Sequence, residues 1–322
     1  MKPGCSIIIR AYNEEKHIGR LLMGIMQQTL KDVQIILVDS GSTDATVGIA
    51  SRFPVEIVHI RPEDFTFGRS LNLGIARAKA DVVVMASAHV YPVYPDWLEK
   101  LVAPFGEENV ALAYGKQRGA EASHFSEHQI FQHWFPDVSK PRQDYPFCNN
   151  ANSAIRLALW QEHPYDEALP ALEDLAWAKW VQEKGFAISY VPEAEIIHVH
   201  EEAWKSVFNR YQREGMAFKQ IYPDAEFGAK DRWQYFVQNV RSDWKAARTQ
   251  GCWRAVWREV MRFRWQQFNG TYQGYKTGTL TWKLRETFYY PHNEVPKEEK
   301  PSPRIAPIHY EDLTESTSKT RD

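Results

Sequence analysis

Cysteine, net charge and long apolar runs are all scarce in this chain. The 322 residues include only three cysteines, Cys5, Cys148 and Cys252, which lie far apart. Because they are few and odd in number, we expect a reducing compartment and neither a disulfide framework nor a cysteine-based zinc site. The formal net charge of -2 gives no support to a nucleic-acid binder.

No apolar run approaches the roughly 18 residues that a membrane span needs. The first residues include Lys2 but lack the apolar segment that a signal peptide contains. Since the chain is 43% hydrophobic and 25% charged, we expect a globular protein with a substantial core. The predicted location is cytoplasmic, either free in solution or peripheral at the inner membrane face.

Two phosphate-binding signatures are missing as well. Without G-x-G-x-x-G, a dinucleotide-binding fold is not indicated, and without G-x-x-x-x-G-K-[ST] a P-loop enzyme is excluded. A pocket for a nucleotide would therefore have to use other groups. Acidic loops can bind a base and a ribose through hydrogen bonds, and a diphosphate would then need a cation.

Short apolar runs alternate with helical patterns in the first part of the chain. Residues 7–9 form an isoleucine run typical of a strand buried on both faces, and residues 18–26 repeat apolar side chains with a helical period. Strands alternating with helices in this way predict a parallel sheet with right-handed crossovers. Further strands are predicted at 33–38, 55–60, 81–86 and 110–114, and further helices at 68–79 and around Leu98 and Leu101.

The pattern changes after Gly115. Residues 116–150 lack a clear period and predict a long loop region over the sheet, where binding residues tend to lie. A strand at 186–191 is predicted to end at Pro192. The other predictions here are a strand at 152–156, a helix at 172–184 closed by Gly185, and a nearly all-helical chain from residue 203.

Polar side chains follow three of the predicted strands. Residues 12–15, 39–44 and 87–89 come directly after strands one, two and four. A parallel sheet would gather them at one edge, which is where open α/β sheets bind ligands. The alternative is that these residues only cap helices, with Asn13 as the N-cap of the first one.

Four motifs resemble family-2 glycosyltransferases with the GT-A fold. They are S-I-I-I-R-A-Y-N-E-E from Ser6, I-I-L-V-D-S-G-S-T-D-A-T from Ile35, W-L-E-K-L from Trp97 and L-E-D-L-A-W from Leu172. The resemblance covers roughly residues 5–220. It implies an α/β GT-A fold with a mostly parallel central sheet and helices on both faces. It also implies an inverting transferase that uses a nucleotide-activated sugar.

The resemblance divides the chain into three regions. Residues 1–220 would be the GT-A catalytic domain and residues 221–290 a helical C-terminal extension. Residues 291–322 lack apolar mass and are predicted to be a disordered tail.

The resemblance also implies a nucleotide pocket at the sheet edge. Asp39 would accept a hydrogen bond from a pyrimidine ring, and Arg69 would lie near the base or the phosphates. The alternative for Asp39 is a helix cap, but Ser42 and Thr43 are available for that role. The implied nucleotide-binding residues are Ala11, Tyr12, Glu14, Asp39, Ser40, Arg69 and Ser87.

The chain departs from the family where most members carry D-x-D, since Ser87, Ala88 and His89 follow the fourth strand. The third position of that motif is the metal ligand, and related GT-A enzymes have a D-x-H variant. His198 and His200 match the position of another ligand in metal-dependent relatives, and residues at i and i+2 on a strand share a face. We predict a divalent cation, preferably manganese, at His89, His198 and His200; a structural role for His200 stays open.

Glu173 and Asp174 resemble the family's E-D pair, whose aspartate is the catalytic base. Such a base takes the proton of the acceptor hydroxyl as the hydroxyl attacks the anomeric carbon. The alternative is that both acids only favour a helix N-terminus. The candidate acceptor or sugar residues are Asn149, Asn150, Asn152 and Trp177, of which Trp177 has core packing as its alternative.

These features predict transfer of a sugar from a UDP- or dTDP-sugar to a hydroxyl of a glycan or lipid-linked acceptor. The transfer would be of hexosyl or rhamnosyl type and would serve cell-surface polysaccharide synthesis. Two alternatives stay open. One is an inactive nucleotide-sugar-binding module, because D-x-D is absent. The other is a nucleotidyltransferase, although the glycine- and lysine-rich N-terminal loop of those enzymes is lacking.

The predicted helix at 253–268 has a tryptophan-rich apolar stripe beside three arginines. Aromatic and basic residues on adjoining faces suit peripheral contact with an anionic membrane. The alternative is that the stripe packs on the catalytic domain or on a second subunit in a homodimer. The residues are Trp253, Trp257 and Trp265 in the stripe, and Arg254, Arg258 and Arg262 beside it.

Overall fold

The computed structural model describes residues 2–200 and 202–289, and among these residues eight strands form one sheet. The strands are β1 (Cys5–Ala11), β2 (Val33–Asp39), β3 (Val55–His59), β4 (Val82–Ser87), β5 (Val90–Pro92), β6 (Val110–Gly119), β7 (Asn152–Arg156) and β8 (Ala187–His198). Their order across the sheet is β3-β2-β1-β4-β7-β6-β8-β5.

Helices cover the sheet and continue beyond it. They are α1 (Ile18–Met26), α2 (Thr46–Ala50), α3 (Phe67–Ile75), α4 (Trp97–Val102), α5 (Phe125–Trp134), α6 (Leu157–Glu162), α7 (Glu173–Glu183), α8 (Trp204–Ile221), α9 (Ala229–Thr249), α10 (Trp253–Lys276) and α11 (Trp282–Tyr289). Short 3-10 turns occur at Pro62–Asp64 and Ala103–Gly106.

The first half of the sheet is parallel, as the sequence predicts. β1 pairs with β2 and β4, and β2 pairs with β3, all in the parallel sense. Ile7 and Ile9 belong to the core on one face and Ile8 to the core on the other, because side chains alternate along a strand. Both faces of β1 are covered, which explains why its isoleucine run is continuous.

The second half of the sheet is mixed. β7 pairs antiparallel with both β4 and β6, and β5 pairs antiparallel with β8. β6 and β8 are parallel. Leu21 of α1 and Trp97 of α4 pack on one face, while Leu71 of α3 packs on the other. The predicted α/β class with helices on both faces is confirmed.

Pro192 does not end the last strand, and that prediction was wrong. β8 continues to His198, and its pairing with β6 shifts register between Gly115 and Gln117. Proline lacks the N–H of a ladder hydrogen bond, so it is tolerated where the ladder is irregular. The longer strand places His198 at the end of β8.

The predicted loop at 116–150 contains the end of β6 and the helix α5. α5 buries Ser126 and Glu127 together with Phe131. A helix that buries polar side chains has a weak apolar period, so the pattern did not indicate a helix here.

α8 and α10 pack with their backbones in close contact. A Cβ atom at Gly274 would lie 2.2 Å from the carbonyl oxygen of Gln212, and one at Gly270 would lie 2.5 Å from that of Phe208. α8 falls almost entirely within the predicted region 1–220 and α10 within 221–290. These two predicted regions therefore share a tightly packed boundary.

A buried ion pair connects α9, α10 and α5. The Arg264 guanidinium donates to both carboxylate oxygens of Asp243, at 2.7 and 2.8 Å. Ser126 Oγ donates to the same carboxylate at 2.6 Å. Breaking such a pair on one side leaves a buried charge uncompensated, at a cost of about 3–5 kcal/mol.

The apolar stripe predicted on α10 is only partly buried. Val260 and Phe263 face the core, whereas Trp257, Met261 and Trp265 are 38%, 37% and 39% exposed. Packing of the whole stripe on the catalytic domain was therefore the wrong interpretation, because the inner face of α10 also includes Arg264 and two glycines. Packing of the exposed residues on a second subunit stays a prediction. Of the described residues, none forms a helix both long and apolar enough to span a membrane. The predicted tail, 291–322, lies outside the described residues.

We expect Gly274→Ala to destabilise the protein by about 1–3 kcal/mol, because the added methyl group overpacks the α8 backbone. Gly48→Ala is the matched control, since Gly48 also lies within a helix but has nothing within 4 Å of its added Cβ. The control should be neutral or slightly stabilising. Urea unfolding measures both variants, and equal midpoints would contradict the close approach of α8 and α10.

Candidate active site

Two loops join at the carboxyl edge of β1 and β2. Asn13 Oδ1 accepts a hydrogen bond from the Thr43 N–H at 2.8 Å, and the Asn13 N–H donates to Ser42 Oγ at 2.9 Å. Asn13 has a φ of 54°, a left-handed conformation that asparagine tolerates. The predicted caps were wrong: α1 begins at Ile18 and α2 at Thr46, so Asn13, Ser42 and Thr43 join the two loops instead.

Asp39 ends β2 directly beside Ala11, which ends β1. Its buried carboxylate accepts hydrogen bonds from the N–H groups of Gly41 and Ser42, at 3.3 and 3.2 Å. Ser40 Oγ donates to the Ala11 carbonyl at 3.1 Å. Asp39 and Ser40 thus shape this loop, and their contact with a nucleotide stays a prediction.

The other predicted nucleotide-binding residues lie near the same edge. Tyr12 and Glu14 follow β1, and Ser87 is the last residue of β4. Burial, followed by the nearby Asp44 charge, raises the pKa of Tyr12. Arg69 is exposed in the first turn of α3. Tyr12, Glu14 and Ser87 therefore lie at the carboxyl ends of parallel strands, as the topology predicts. The contact of these residues and of Arg69 with a nucleotide stays a prediction.

His89 follows β4 and contacts the loop after β1. Its Nδ1 lies 2.7 Å from Glu14 Oε1. Because a carboxylate only accepts, we assign the proton to Nδ1, which leaves the lone pair of the neutral ring on Nε2. Glu14 therefore orients His89. The sequence predicted Glu14 only as a nucleotide-binding residue and did not predict this contact.

Two further histidines lie next to His89. The ring of His198 stacks on His89 with centroids 5.1 Å apart and meets His200 at 4.0 Å. Nδ1 of His198 is 2.9 Å from Gln117 Oε1, and Nδ1 of His200 is 2.7 Å from Glu127 Oε1. One ring nitrogen from each of the three histidines lies within 4.8 Å of the other two.

The three rings share one hydrogen-bond arrangement. Each Nδ1 faces an oxygen acceptor, which leaves Nε2 of each ring for another partner. The Nε2 atoms of His198 and His200 are 3.0 Å apart, within hydrogen-bond distance. Burial, followed by the neighbouring His200 and His89, lowers the pKa of His198 well below its usual range, so its ring is neutral. Imidazoles anchored through Nδ1 fit a transition-metal cation.

Glu127 orients His200 and was not singled out by the sequence. Its Oε1 lies 2.7 Å from both His200 Nδ1 and Arg210 Nη2, and Arg210 also donates to Glu202 at 2.6 Å. Burial acts to raise the pKa of Glu127, but His200 and Arg210 outweigh it and lower the pKa to about 2. These partners lie far apart in the chain, so no spacing could reveal them.

Asp174 lies in the first turn of α7, after Leu172, whose φ of 57° turns the chain into the helix. Its carboxylate accepts hydrogen bonds from the N–H groups of Asn150 at 3.0 Å and Leu175 at 2.8 Å. Burial, followed by the adjacent Glu173 charge, raises the pKa of Asp174 to about 7. A carboxyl group with such a pKa is suited to proton transfer near neutral pH.

One cavity of about 850 Å³ is lined by Asp174 and by two of the three histidines. Asp174, His198, His200 and Glu127 all contribute to its lining. The volume lies toward the upper end of the range of about 300–1,000 Å³ for small-molecule sites. The cavity can therefore hold a sizeable ligand between a candidate base and a candidate cation site.

Residues 6–158 match the sequence model described as glycosyl transferase family 2. An O-antigen chain rhamnosyltransferase of Salmonella typhimurium is 28% identical over 218 residues, which cover 64% of this chain and 69% of that protein. Another, of Salmonella anatum, is 27% identical over 221 residues, which cover 65% of this chain and 70% of that protein.

A solved structure has a similar fold. It is a mannosyltransferase from Pyrobaculum calidifontis in complex with GDP-Man and Mn2+, with a TM-score of 0.60 at 16% identity. The match covers 84% of this chain and 86% of that chain. At this identity the likeness shows the fold alone, which is the GT-A glycosyltransferase fold. Together these findings show that the chain is similar to family-2 glycosyltransferases in sequence and has the GT-A fold.

Two residues predicted to bind sugar are core residues, and those predictions were wrong. Asn152 is fully buried; its Oδ1 accepts from Trp97 Nε1 at 2.8 Å, and its Nδ2 donates to two backbone carbonyls. Trp177 is 1% exposed and donates its indole N–H to the His163 carbonyl at 2.7 Å. With their polar groups paired inside the core, neither side chain is accessible to a sugar.

The remaining two asparagines differ from each other. Asn150 is buried; its Nδ2 donates to Glu173 Oε1 at 3.3 Å and its Oδ1 accepts from Ser153 Oγ at 2.9 Å. It therefore contacts the acid pair, and its binding of sugar hydroxyls stays a prediction. Asn149 lines the cavity together with Asp174 and stays a candidate for sugar binding.

Proposed function

We propose that the chain is an inverting glycosyltransferase that moves a sugar from a UDP- or dTDP-sugar to a hydroxyl of a glycan or lipid-linked acceptor. The observation that carries this proposal is the single cavity lined by Asp174 and by His198 and His200. The O-antigen chain relatives favour rhamnosyl over hexosyl transfer and a role in surface polysaccharide synthesis. The GDP-Man in the fold neighbour supports a nucleoside-diphosphate-sugar donor.

Asp174 is the proposed catalytic base. As the acceptor oxygen bonds to the anomeric carbon, Asp174 takes the hydroxyl proton and the bond from that carbon to the diphosphate oxygen breaks. Attack on the face opposite the leaving group inverts the anomeric carbon. Burial and the Glu173 charge keep the pKa of Asp174 raised, which strengthens the carboxylate as a base.

His89, His198 and His200 are the residues that would hold a divalent cation. Three imidazole nitrogens favour manganese and softer transition metals over magnesium. When bound, the cation would neutralise the diphosphate of the leaving nucleotide. The chain preorganises the rings through their Nδ1 atoms, which contact Glu14, Gln117 and Glu127.

We expect Asp174→Asn to lower transfer by at least roughly 10²- to 10⁴-fold while nucleotide binding stays nearly intact, because the residue acts on the acceptor. In the unmodified enzyme the base works only when deprotonated. Since the pKa of Asp174 is raised to about 7, the transfer rate should fall as the pH drops below that value and level off above it. Initial rates across pH, with calorimetric nucleotide binding, measure both effects.

Asp144→Asn is the control for this variant. Asp144 is exposed and lies outside the cavity lining, and its substitution by Asn removes the same charge as Asp174→Asn. It should keep the full rate and the pH profile. Transfer by Asp174→Asn within about tenfold of the unmodified enzyme would remove Asp174 from its proposed role.

We expect His89→Ala and His198→Ala each to weaken manganese binding by at least about 10-fold, because each removes one ring nitrogen from the group. The rate of manganese-dependent hydrolysis of the donor should fall together with manganese binding. EDTA should lower the hydrolysis rate of the unmodified enzyme in the same way. His163→Ala, at an exposed position outside the cavity lining, is the control. Full turnover in chelator would refute the metal site and leave Arg69 and loop amides to neutralise the diphosphate.

The two alternative functions can be distinguished from glycosyl transfer by their products. An inactive nucleotide-sugar-binding module would bind the donor without hydrolysing or transferring it, whereas a nucleotidyltransferase would release pyrophosphate from a nucleoside triphosphate. The buried Asp174, with its raised pKa, supports the transferase, since binding alone does not require a base. Assays of donor hydrolysis and of pyrophosphate release separate the three.

We further propose that α10 contacts an anionic membrane surface, where a lipid-linked acceptor would be located. Trp257, Met261 and Trp265 are all partly exposed and recur every fourth residue on the helix. Three exposed arginines recur with the same spacing beside them, which suits interfacial aromatic rings and anionic headgroups. The arginines are Arg254, Arg258 and Arg262.

We expect the protein to co-sediment with phosphatidylglycerol vesicles at low salt, and the triple change of Arg254, Arg258 and Arg262 to Gln to abolish this. At about 1 kcal/mol per basic residue near the surface, the loss in partitioning is roughly 100-fold. The control changes the exposed Lys31, Arg52 and Lys79 to Gln, which alters the net charge equally. If the unmodified protein stays in the supernatant and elutes as a dimer, the face is a subunit contact instead.

A further inference from the structure

The cavity that contains Asp174 extends to the C-terminal helices. Part of its lining comes from one side of α9 and the facing side of α10, which we call the helical wall. A volume of about 850 Å³ exceeds what one sugar ring on the acceptor side would fill. The helical wall consists of Tyr235, Gln238, Asn239, Ser242, Gln267 and Phe268.

The helical wall combines aromatic rings with amides and a hydroxyl. Tyr235 is 46% exposed, and its ring stacks on Phe268 with centroids 6.1 Å apart. Gln238 and Ser242 follow Tyr235 on α9 at i+3 and i+7, so the three side chains share one face of the helix. An aromatic ring can cover the apolar C–H face of a pyranose, while amide and hydroxyl groups bind its hydroxyls.

The arginines that line the cavity are already paired with carboxylates. Arg264 donates to Asp243, and Arg210 donates to Glu127 and Glu202. A phosphate or a second nucleotide would need a cation that is not engaged in this way. Away from the candidate cation site, the lining therefore suits a neutral polyhydroxylated ligand.

We propose that the helical wall is a distal subsite for the penultimate sugar of a glycan acceptor, whose terminal sugar presents its hydroxyl to Asp174. This inference rests on the proposed function. It assigns a role to α9 and α10 that family membership does not supply. The consequence is an enzyme that recognises an acceptor of at least two sugars.

The test compares p-nitrophenyl mono- and disaccharides of rhamnose, mannose and galactose as acceptors. The unmodified enzyme should favour a disaccharide by at least about tenfold in kcat/KM. Tyr235→Ala and Gln238→Ala should each raise the KM for the disaccharide by about tenfold, with kcat and the monosaccharide KM unchanged. Trp233→Ala and Gln234→Ala are matched controls on the same helix but outside the cavity lining, and they should change nothing.

Saturation-transfer NMR of the same disaccharides, with UDP and Mn2+ present, tests binding without turnover. Loss of the signal in Tyr235→Ala but not in Trp233→Ala supports the subsite. The subsite is overturned if no disaccharide binds the unmodified protein, or if mono- and disaccharides are affected equally by the variants. Failure of the proposed function looks different, because the donor would then be neither hydrolysed nor transferred to any acceptor, whether mono- or disaccharide.

Discussion

The buried carboxylate of Glu127 is the contact on which the candidate site depends. A single oxygen of this residue lies 2.7 Å from both His200 Nδ1 and Arg210 Nη2. Glu127 itself belongs to α5, His200 to the segment that follows β8, and Arg210 to α8, so the three elements meet at this carboxylate. A buried charge is tolerated only when it is paired, so the three elements must keep their relative positions. The orientation of His200 is thus set by helix packing as well as by the sheet.

α5 also connects the site to the C-terminal helices. Ser126, the residue before Glu127, donates to Asp243, which pairs with Arg264 of α10. Adjacent residues of one helix therefore bind the histidine group and the last two long helices. This arrangement makes the helical extension a part of the cavity wall.

The two halves of the sheet contribute different groups. The parallel half ends in the loops that bear the predicted nucleotide-binding residues and in His89, while the mixed half carries His198. Asp174 comes from α7 and is held by the N–H of Asn150, just before the antiparallel strand β7. Burial of the acid pair is what raises the pKa of Asp174, so the base depends on this packing.

Much of the fold was predictable because its cause is local. Short continuous apolar runs and stripes of period 3.6 indicated the first four strands and the helices between them. The sequence did not predict α5, because this helix buries polar residues. It also did not predict that β8 continues beyond Pro192, where the pairing with β6 shifts register. The three histidines were predicted from a family resemblance, and the structure brings them together; their role as ligands stays a prediction.

Local sequence patterns were enough to predict the α/β alternation, the order of the polar loops along one sheet edge, and the acid pair at the start of α7. These features follow from local period and strand direction. Which polar side chains lie inside depends instead on how distant segments pack. The tertiary structure placed Asn152 and Trp177 in the core, and it paired Glu127 with Arg210. Such contacts join residues far apart in the chain, and a buried polar group reveals its partner only when the packing around it is known.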